Sequence, residues 1–289
     1  MHIVIGGGTG YVGQTLVPLC QKAGHQVTVL SRDVTKVRTL FGSEVHAADA
    51  AQPPARFDVA INLAGQSVAR RWTTAIKREI LQSRTRTTSE LRQAAQAAGA
   101  QAFISASAIG FYGDRGDTEV DESSPPGSGF LADVCQRWEA AATGGPLRTV
   151  IVRVGFVIGP GAAAIGKMAL PFKLFAGGAL AGGRQFVPWI HVQDVAGIFL
   201  WAAETSSVHG ILNATNPVPA TNKAISKSLA RALHRPCWAP VPGFAVKLLF
   251  GEMGSIALES QRVLPRRTSQ LGFPFQWTDL DAAMRDAVK

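Results

Sequence analysis

The chain opens Met1-His2-Ile3-Val4-Ile5-Gly6-Gly7-Gly8-Thr9-Gly10-Tyr11-Val12-Gly13. An apolar run of strand length enters a glycine cluster, and apolar residues at helical spacing (Val12, Leu16, Val17, Leu19) leave it. The pattern predicts strand, tight turn and helix. Gly7 or Gly8, having no Cβ, can take positive φ, and Gly10 lets the backbone come close to a pyrophosphate. Gly13 lets the first helix pack closely on the strand, and the free N–H groups of its first turn point at an anion with the positive end of the helix dipole. The expected ligand is a dinucleotide held at Gly7, Gly10, Tyr11, Val12 and Gly13.

The residues that follow bear on which dinucleotide. A second strand over 26–30, β-branched and apolar, runs into Ser31-Arg32-Asp33. An acidic residue here would bond the ribose 2′-OH of NAD, whereas an arginine suits the 2′-phosphate of NADP. Ser31 offers a small hydroxyl and Arg32 a bidentate guanidinium, so NADP (NADPH) is the expected cofactor. The other reading is that Arg32 is merely solvated and that Ser31 or Asp33 caps the next helix.

A short strand over 44–47 is followed by Asp49, placed to approach the adenine edge. A fourth strand ends in Asn62-Leu63-Ala64-Gly65, and the small residues Asn62, Ala64 and Gly65 would let the cofactor lie across its end. A long helix over 73–98 leads to a fifth strand, 101–107, which carries Ser105 and Ser107 toward Tyr112. Residues 114–129 read as a loop or flap, 130–142 as a helix and 149–154 as a sixth strand containing Arg153. Residues 155–183 read as loose and glycine-rich, and Trp189-Ile190-His191 leads into a further helix. A strand over 211–213, a helix over 221–233 and a Pro/Trp-rich tail complete the chain. Strands alternating with helices from the first residue imply an α/β fold, a Rossmann doubly wound parallel sheet with right-handed crossovers. Ligands then sit beyond the carboxyl ends of the strands. The expected division is an NADP-binding domain over 1–237, with substrate-lobe segments from about 155 to 190, and a smaller C-terminal lobe over 238–289.

Composition narrows the function classes. With 46% hydrophobic and 17% charged residues in 289, the chain is globular rather than disordered. Strand one starts at residue 2, leaving no room for a signal peptide, and no apolar run reaches membrane-spanning length. The expectation is a soluble, cytoplasmic protein without a membrane partner. Cys20, Cys135 and Cys237 are few and far apart, so neither a disulfide framework nor a metal site is expected. The net charge of +9 raises the question of nucleic acid. Arg70, Arg71, Lys77, Arg78, Arg84, Arg86 and Arg92 have only Trp72 as an aromatic neighbour and fit a solvated helix face. No nucleic-acid partner is expected, and an anionic cofactor or substrate is the next consumer of that potential. The apolar stretch 244–250 is expected to pack over the substrate lobe, with the chain a monomer or homodimer.

Several features in order resemble the extended short-chain dehydrogenase/reductase family of NAD(P)-dependent nucleotide-sugar epimerases and dehydratases. They are Gly7-x-x-Gly10-x-x-Gly13, Asn62-Leu63-Ala64-Gly65, Ser105-Ala106-Ser107 before Tyr112-Gly113, and Arg153. More closely, Ser83-Arg84, the run 105–113, Asp133-Val134-Cys135 with Trp138-Glu139, Trp189-Ile190-His191 with Asp194, and Val263-Leu264-Pro265 resemble the YfcH-like subgroup of epimerase family proteins. That subgroup carries a small C-terminal domain of unknown function, here about residues 238–286. The resemblance implies cofactor contacts at Ser105 and Arg153, a substrate pocket lined by Trp189 and His191, and oxidoreductase or epimerase chemistry.

The chain departs from the family at the proton-transfer pair. A Tyr and a Lys one helical turn apart would reach the nicotinamide side together, yet Tyr11 and Tyr112 are the only tyrosines and neither has Lys four residues on. Aligned on Glu139, Leu131 and Cys135 occupy those two positions. One reading is a rebuilt catalytic site in which Ser107 orients a carbonyl or hydroxyl, Tyr112 supplies the proton, and Lys167 or His191 assists. A phenol of pKa about 10 needs a cation such as Lys167 or Arg153 beside it to act as a base. The alternative is a non-catalytic NADP(H)-binding sensor or interaction protein. The small-molecule substrate stays unidentified in either case.

Overall fold

The computed structural model describes residues 1–239 and 241–289, with the side chains of Lys247, Leu249 and Phe250 outside the described set. The first five strands are β1 (His2–Gly6), β2 (Gln26–Ser31), β3 (His46–Asp49), β4 (Val59–Asn62) and β5 (Ala102–Ala108). Among them lie α1 (Tyr11–Lys22), α2 (Val34–Phe41) and α3 (Thr74–Ala97). Next come β6 (Glu119–Val120), α4 (Phe130–Ala142), β7 (Arg148–Val154), β8 (Phe156–Ile158) and α5 (Ala163–Lys173). They are followed by β9 (Phe186–Val187), β10 (Trp189–His191), α6 (Val192–Glu204), β11 (Gly210–Ala214), β12 (Ala220–Thr221) and α7 (Asn222–Leu233). The C-terminal part holds α8 (Gly243–Phe250), β13 (Arg262–Val263), α9 (Arg266–Gln270) and α10 (Leu280–Ala287).

Seven strands form one parallel sheet in the order β11-β7-β5-β4-β1-β2-β3. This is the expected doubly wound Rossmann sheet. The winding reverses between β1 and β4, and the crevice beyond their carboxyl ends is where such sheets take ligands. Strand periodicity divides the core in two. Ile3, Ile5, Val59, Ile61, Ala102 and Ile104 pack with Leu16 and Val17 of α1 and with Val195 and Phe199 of α6. Their strand neighbours Val4, Ala60, Phe103 and Ile151 pack on the other face with Leu91 and Ala95 of α3. A sheet covered on both faces reads as continuous apolar runs, which is why these strands were legible without polar alternation.

The structure differs from expectation at the periphery. The third strand begins at His46, two residues later than the expected start at Glu44, where register with β2 pairs His46 with Thr28. Residues 155–183 are not loose: β8 pairs in parallel with β10, and α5 buries Ile165, Ala169 and Phe172. Residues 114–129 are not a free flap, since β6 pairs with β13 and the Glu122 carboxylate accepts from the backbone N–H groups of Asn213, Arg267 and Thr268. The C-terminal residues join the rest of the core. Phe273 packs 5.5 Å from the Trp201 ring, and Ala283 and Met284 are fully buried beside Ile225 and Leu229 of α7. In α8 Val246 is buried, while Phe244 and Leu248 are exposed. Among the described residues no helix is long and apolar enough to cross a membrane.

Candidate functional site

The turn after β1 is shaped by what glycine lacks. Gly7 has φ +77°, and a Cβ there would lie 2.7 Å from the Ala64 nitrogen; at Gly13 it would lie 2.3 Å from the Gly8 carbonyl oxygen. Gly13 thus packs α1 against the turn itself rather than against the strand. Gly10 precedes α1 in extended backbone, and its N–H donates to the Gly7 carbonyl (3.0 Å). The first helical bond runs from Gln14 N to Gly10 O (2.9 Å), so the N–H groups of Tyr11, Val12 and Gly13 precede the helical ladder. These donors, with the dipole of a 12-residue helix behind them, form an anion cradle at the switch point.

Beside the cradle, the Asn62 amide donates to Thr88 Oγ1 (2.7 Å) and its oxygen accepts from Ala64 N (3.1 Å). Fully buried Asn62 therefore shapes the Ala64-Gly65 backbone that faces Gly7 rather than presenting its own side chain. At the end of β2, Ser31 Oγ donates to the Asp33 carbonyl, and Asp33 caps α2 through Lys36 N. Arg32 is exposed and without a recorded partner among the described residues. The capping reading and a free guanidinium at this corner hold together. Asp49 accepts from Ala51 N (2.8 Å) and closes its own turn.

Ser107, Tyr112 and Arg153 are brought together, around a residue not foreseen as part of the site. Glu139 of α4 receives Arg153 Nε and Nη2 in a fork of two 2.8 Å bonds, and Ser107 Oγ donates to it at 2.6 Å. Arg153 Nη1 donates to the Tyr112 hydroxyl (3.0 Å), which donates to Asn213 Oδ1 (2.8 Å). The guanidinium also lies 3.3 Å over the Phe111 ring. Arg153 is 1% exposed and Tyr112 0%: the arginine, expected at the cofactor, is neutralised by Glu139, and the phenol, expected to supply a proton, is sealed. Burial pushes the Tyr112 phenol up to about 12 against the opposing Arg153 charge, away from a working base. Ser105 lies within β5 rather than at its end, fully buried, its hydroxyl on the Ala106 carbonyl. Cys135, in the position of the family's lysine, is also buried, and its thiol is pushed up to about 12 by that burial.

Lys167, Trp189 and His191 are not part of this cluster. Lys167 is exposed on α5, and the Tyr112 hydroxyl is bonded to Arg153 and Asn213 instead. Trp189 is core, its indole N–H on the Val218 carbonyl (3.2 Å). His191 stacks on Trp277 at 4.0 Å, accepts from Gln193 N at Nδ1 and meets Asp286 at Nε2 (3.2 Å). With Asp194, which accepts from Gln276 N and Trp277 N, it clamps the C-terminal segment onto α6.

Burial holds the His191 imidazole below its ordinary value of 6.5, and burial does the same to His2. The unfolded chain takes up protons at pH values where these folded rings stay neutral. The stability they contribute is therefore complete above 6.5 and is lost as pH falls below it. Urea denaturation between about pH 8 and about pH 5 is expected to show falling stability on the acid side, with a shallower slope in His191→Asn.

A second residue emerges only from the structure. Along α3, Ile80, Thr88, Leu91 and Ala95 form the buried stripe, and Arg84 falls on that stripe rather than on the solvated face expected for it. Its Nη1 donates to the Ile80 carbonyl (3.1 Å), and its guanidinium lies 5.0 Å from the Trp138 ring. Arg70, Arg71, Arg78 and Arg86 do face solvent, with Arg70–Glu79, Lys77–Glu252 and Arg86–Glu90 paired, while half-buried Arg92 donates to the Gly144 carbonyl (2.8 Å). An arginine at helical spacing among apolar residues was the signal in the sequence.

Comparison with known proteins places this arrangement. Residues 3–214 match the NAD dependent epimerase/dehydratase family, and residues 241–287 match a domain of unknown function, DUF1731. The chain is 39% identical to the epimerase family protein SDR39U1 of Bos taurus, with both chains covered in full. It is 35% identical to the epimerase family protein YfhF of Bacillus subtilis, covering 100% of this chain and 98% of that one. It also superimposes on human SDR39U1 (isoform 2), crystallised with NADPH, with TM-score 0.90 and 38% identity over 99% of each chain. With its Rossmann sheet, glycine cradle and C-terminal match, the chain belongs to the NAD dependent epimerase/dehydratase family and carries the DUF1731 segment at its end.

Proposed function

We propose that this protein binds NADPH in the crevice between β1 and β4 and acts as an oxidoreductase or epimerase on a small carbonyl, hydroxyl or nucleotide-sugar substrate. The observation that carries the reading is the glycine cradle, whose backbone space a Cβ at Gly7 or Gly13 would fill. The similarity to a human protein crystallised with NADPH supports the choice of cofactor. Tyr11, Val12 and Gly13 would hold the pyrophosphate by their N–H groups, and Arg32 with Ser31 the 2′-phosphate. When bound, the nicotinamide supplies hydride chemistry. On the protein's side, Ser107 with Glu139 handles the proton, the carboxylate polarising the serine hydroxyl at 2.6 Å, while Tyr112 keeps Arg153 in place.

Fluorescence titration is expected to show NADPH bound more tightly than NADH. Arg32→Ala is expected to weaken NADPH by about tenfold, the worth of one charge-assisted contact, and to leave NADH unchanged. Equal loss for both nucleotides would remove Arg32 from the 2′-phosphate. Turnover is tested by following NADPH absorbance against a panel of carbonyl compounds and nucleotide sugars. A second reading, a sensor that binds NADPH without turnover, is favoured by one observation: the Ser107 and Tyr112 hydroxyls are both buried and hydrogen-bonded within the protein. Tight NADPH binding with no consumption across the panel would select it.

A further inference from the structure

We propose that the face shared by the end of α5, the segment 174–181 and α8 docks on an anionic lipid surface, its apolar side chains entering the headgroup region and the lysines and arginines around them meeting lipid phosphates. The inference stands apart from the NADPH reading and gives a partner to side chains that the folded core leaves uncovered.

Six large apolar side chains stand open to solvent here: Leu170 and Leu174 at the end of α5, Phe175 and Trp238 beside it, and Phe244 and Leu248 of α8, each between 56% and 82% exposed. Among the described residues Val218 is the one other large apolar side chain that is more than half exposed. Leu170 with Leu174 and Phe244 with Leu248 are four residues apart, so each pair lies on one helical face. Hydrogen bonds join the segments that carry them. Trp238 Nε1 donates to the Phe175 carbonyl (3.0 Å), Trp238 N to the Gly177 carbonyl (3.1 Å), and Val241 N, two residues before α8, to the Ala179 carbonyl (3.1 Å). A side chain lining a groove is covered by the groove's walls, whereas these six project from the surface.

The charge around them has one sign. Residues 140–193 and 205–251 contain no Asp or Glu. Exposed cations in these stretches are Lys167 and Lys173 of α5, Arg184, Lys223 and Lys227 of α7, and Arg235, whose guanidinium lies 4.8 Å over the Phe175 ring. Lys167 and Lys173 stand three residues to either side of Leu170, which puts cation and apolar tip on one side of the helix. None of the six makes an ion pair among the described residues. Two carboxylates that border the region are already taken, Asp281 by Arg231 (2.6 Å) and Glu252 by Lys77 (2.6 Å).

That single sign selects the occupant. In a two-fold dimer a second copy would set these cations against their own equivalents, an unfavourable like-charge contact. A bilayer containing anionic lipid answers both parts of the face. Its surface potential draws in Lys and Arg, whose long stems let the charged heads reach phosphate while leucine, phenylalanine and tryptophan settle at the acyl boundary. The Trp238 indole has the amphipathic character favoured at that depth. The expectation of no membrane partner rests on the lack of a spanning run, and a surface contact needs none.

The test is cosedimentation of the full-length protein with vesicles of phosphatidylcholine alone, or mixed in equal parts with phosphatidylglycerol, over a range of potassium chloride. Wild type is expected to bind the mixed vesicles about tenfold or more tightly than phosphatidylcholine alone, and to be released by salt. Lys173→Glu/Arg235→Glu and Leu174→Ser/Phe244→Ser are each expected to weaken that binding by about tenfold or more. All four side chains are exposed, so Tm and NADPH affinity are expected to stay near wild type. The same change of charge on the outer face of α3, Arg78→Glu/Arg86→Glu, is expected to stay within about threefold of wild type, which separates a docking face from the general pull of a basic protein. Bromine-labelled lipid chains are expected to quench part of the tryptophan emission, and Trp238→Phe to remove that part. The proposal is overturned if wild type ignores phosphatidylglycerol, if Leu174→Ser/Phe244→Ser binds as wild type does, if the α3 variant loses as much as Lys173→Glu/Arg235→Glu, or if the quenching survives Trp238→Phe. A dimer in sedimentation velocity that Leu174→Ser/Phe244→Ser disperses would give the face to a second copy and overturn it as well.

Discussion

Arg153→Met is expected to lower folding stability by about 3–5 kcal/mol, the range for breaking a buried ion pair by removing one partner. The substitution strips Glu139 of both bonds in its fork and leaves a carboxylate that is 8% exposed with Ser107 as its remaining donor. Tyr112 keeps Asn213 and loses its arginine donor. Urea denaturation measures the loss. The double variant Arg153→Met/Glu139→Leu, having no buried charge left, is expected to recover part of it. The contrast with the expectation drawn from the sequence is direct. If Arg153 touched the cofactor, the folded fraction of Arg153→Met would bind NADPH poorly, whereas a structural pair predicts near-normal affinity in that fraction.

The second large effect concerns the glycine turn, where three substitutions separate folding from binding. At Gly13 an alanine methyl would meet the Gly8 carbonyl oxygen at 2.3 Å, and at Gly7 it would meet the Ala64 nitrogen at 2.7 Å with φ at +77°. Both neighbours are backbone, so the turn itself must shift. Gly13→Ala and Gly7→Ala are expected to abolish measurable NADPH binding and to lower Tm. Gly10 is different: its φ is −78° and its nearest neighbour to an added Cβ is the Gly7 carbonyl at 3.2 Å. Gly10→Val is expected to fold with a loss of about 1 kcal/mol or less, yet to weaken NADPH by tenfold or more, because its side chain would stand where the pyrophosphate approaches. Isothermal titration alongside thermal melting distinguishes the two patterns, and normal affinity in Gly10→Val would remove the pyrophosphate from this turn.

The two halves of the molecule were unequally legible. Strands such as His2–Gly6 and Ala102–Ala108 are buried on both faces, so their character is written in consecutive residues. The glycine cradle is equally local, being made by residues within one turn of each other. The polar centre is not local. Glu139 meets Ser107 across 32 positions and Arg153 across 14, and Tyr112 meets Asn213 across 101. A motif compares neighbours in the chain, and these partners become neighbours only when the sheet closes. What the sequence did carry was positional: Glu139 and Arg84 both stand at helical spacing among buried residues, Cys135 and Ala142 in one case, Ile80 and Thr88 in the other. A charge on an inward stripe marks a partner elsewhere in the chain or a ligand, and reading Arg84 with the solvated face overlooked that period. His191 and Trp189 were misplaced for a related reason, since the segment that covers them comes from residues 277–286.

The seating of α10 has a consequence for local opening. β1 sits in the middle of the sheet, paired on both sides with β2 and β4, whereas α10 seats Ala283, Met284 and Ala287 against α7 and reaches His191 through Asp286. Lifting α10 would bare the apolar face of α7 and free the His191 ring while leaving the strands that frame the cradle paired, so the lobe can open in a smaller step than the nucleotide site.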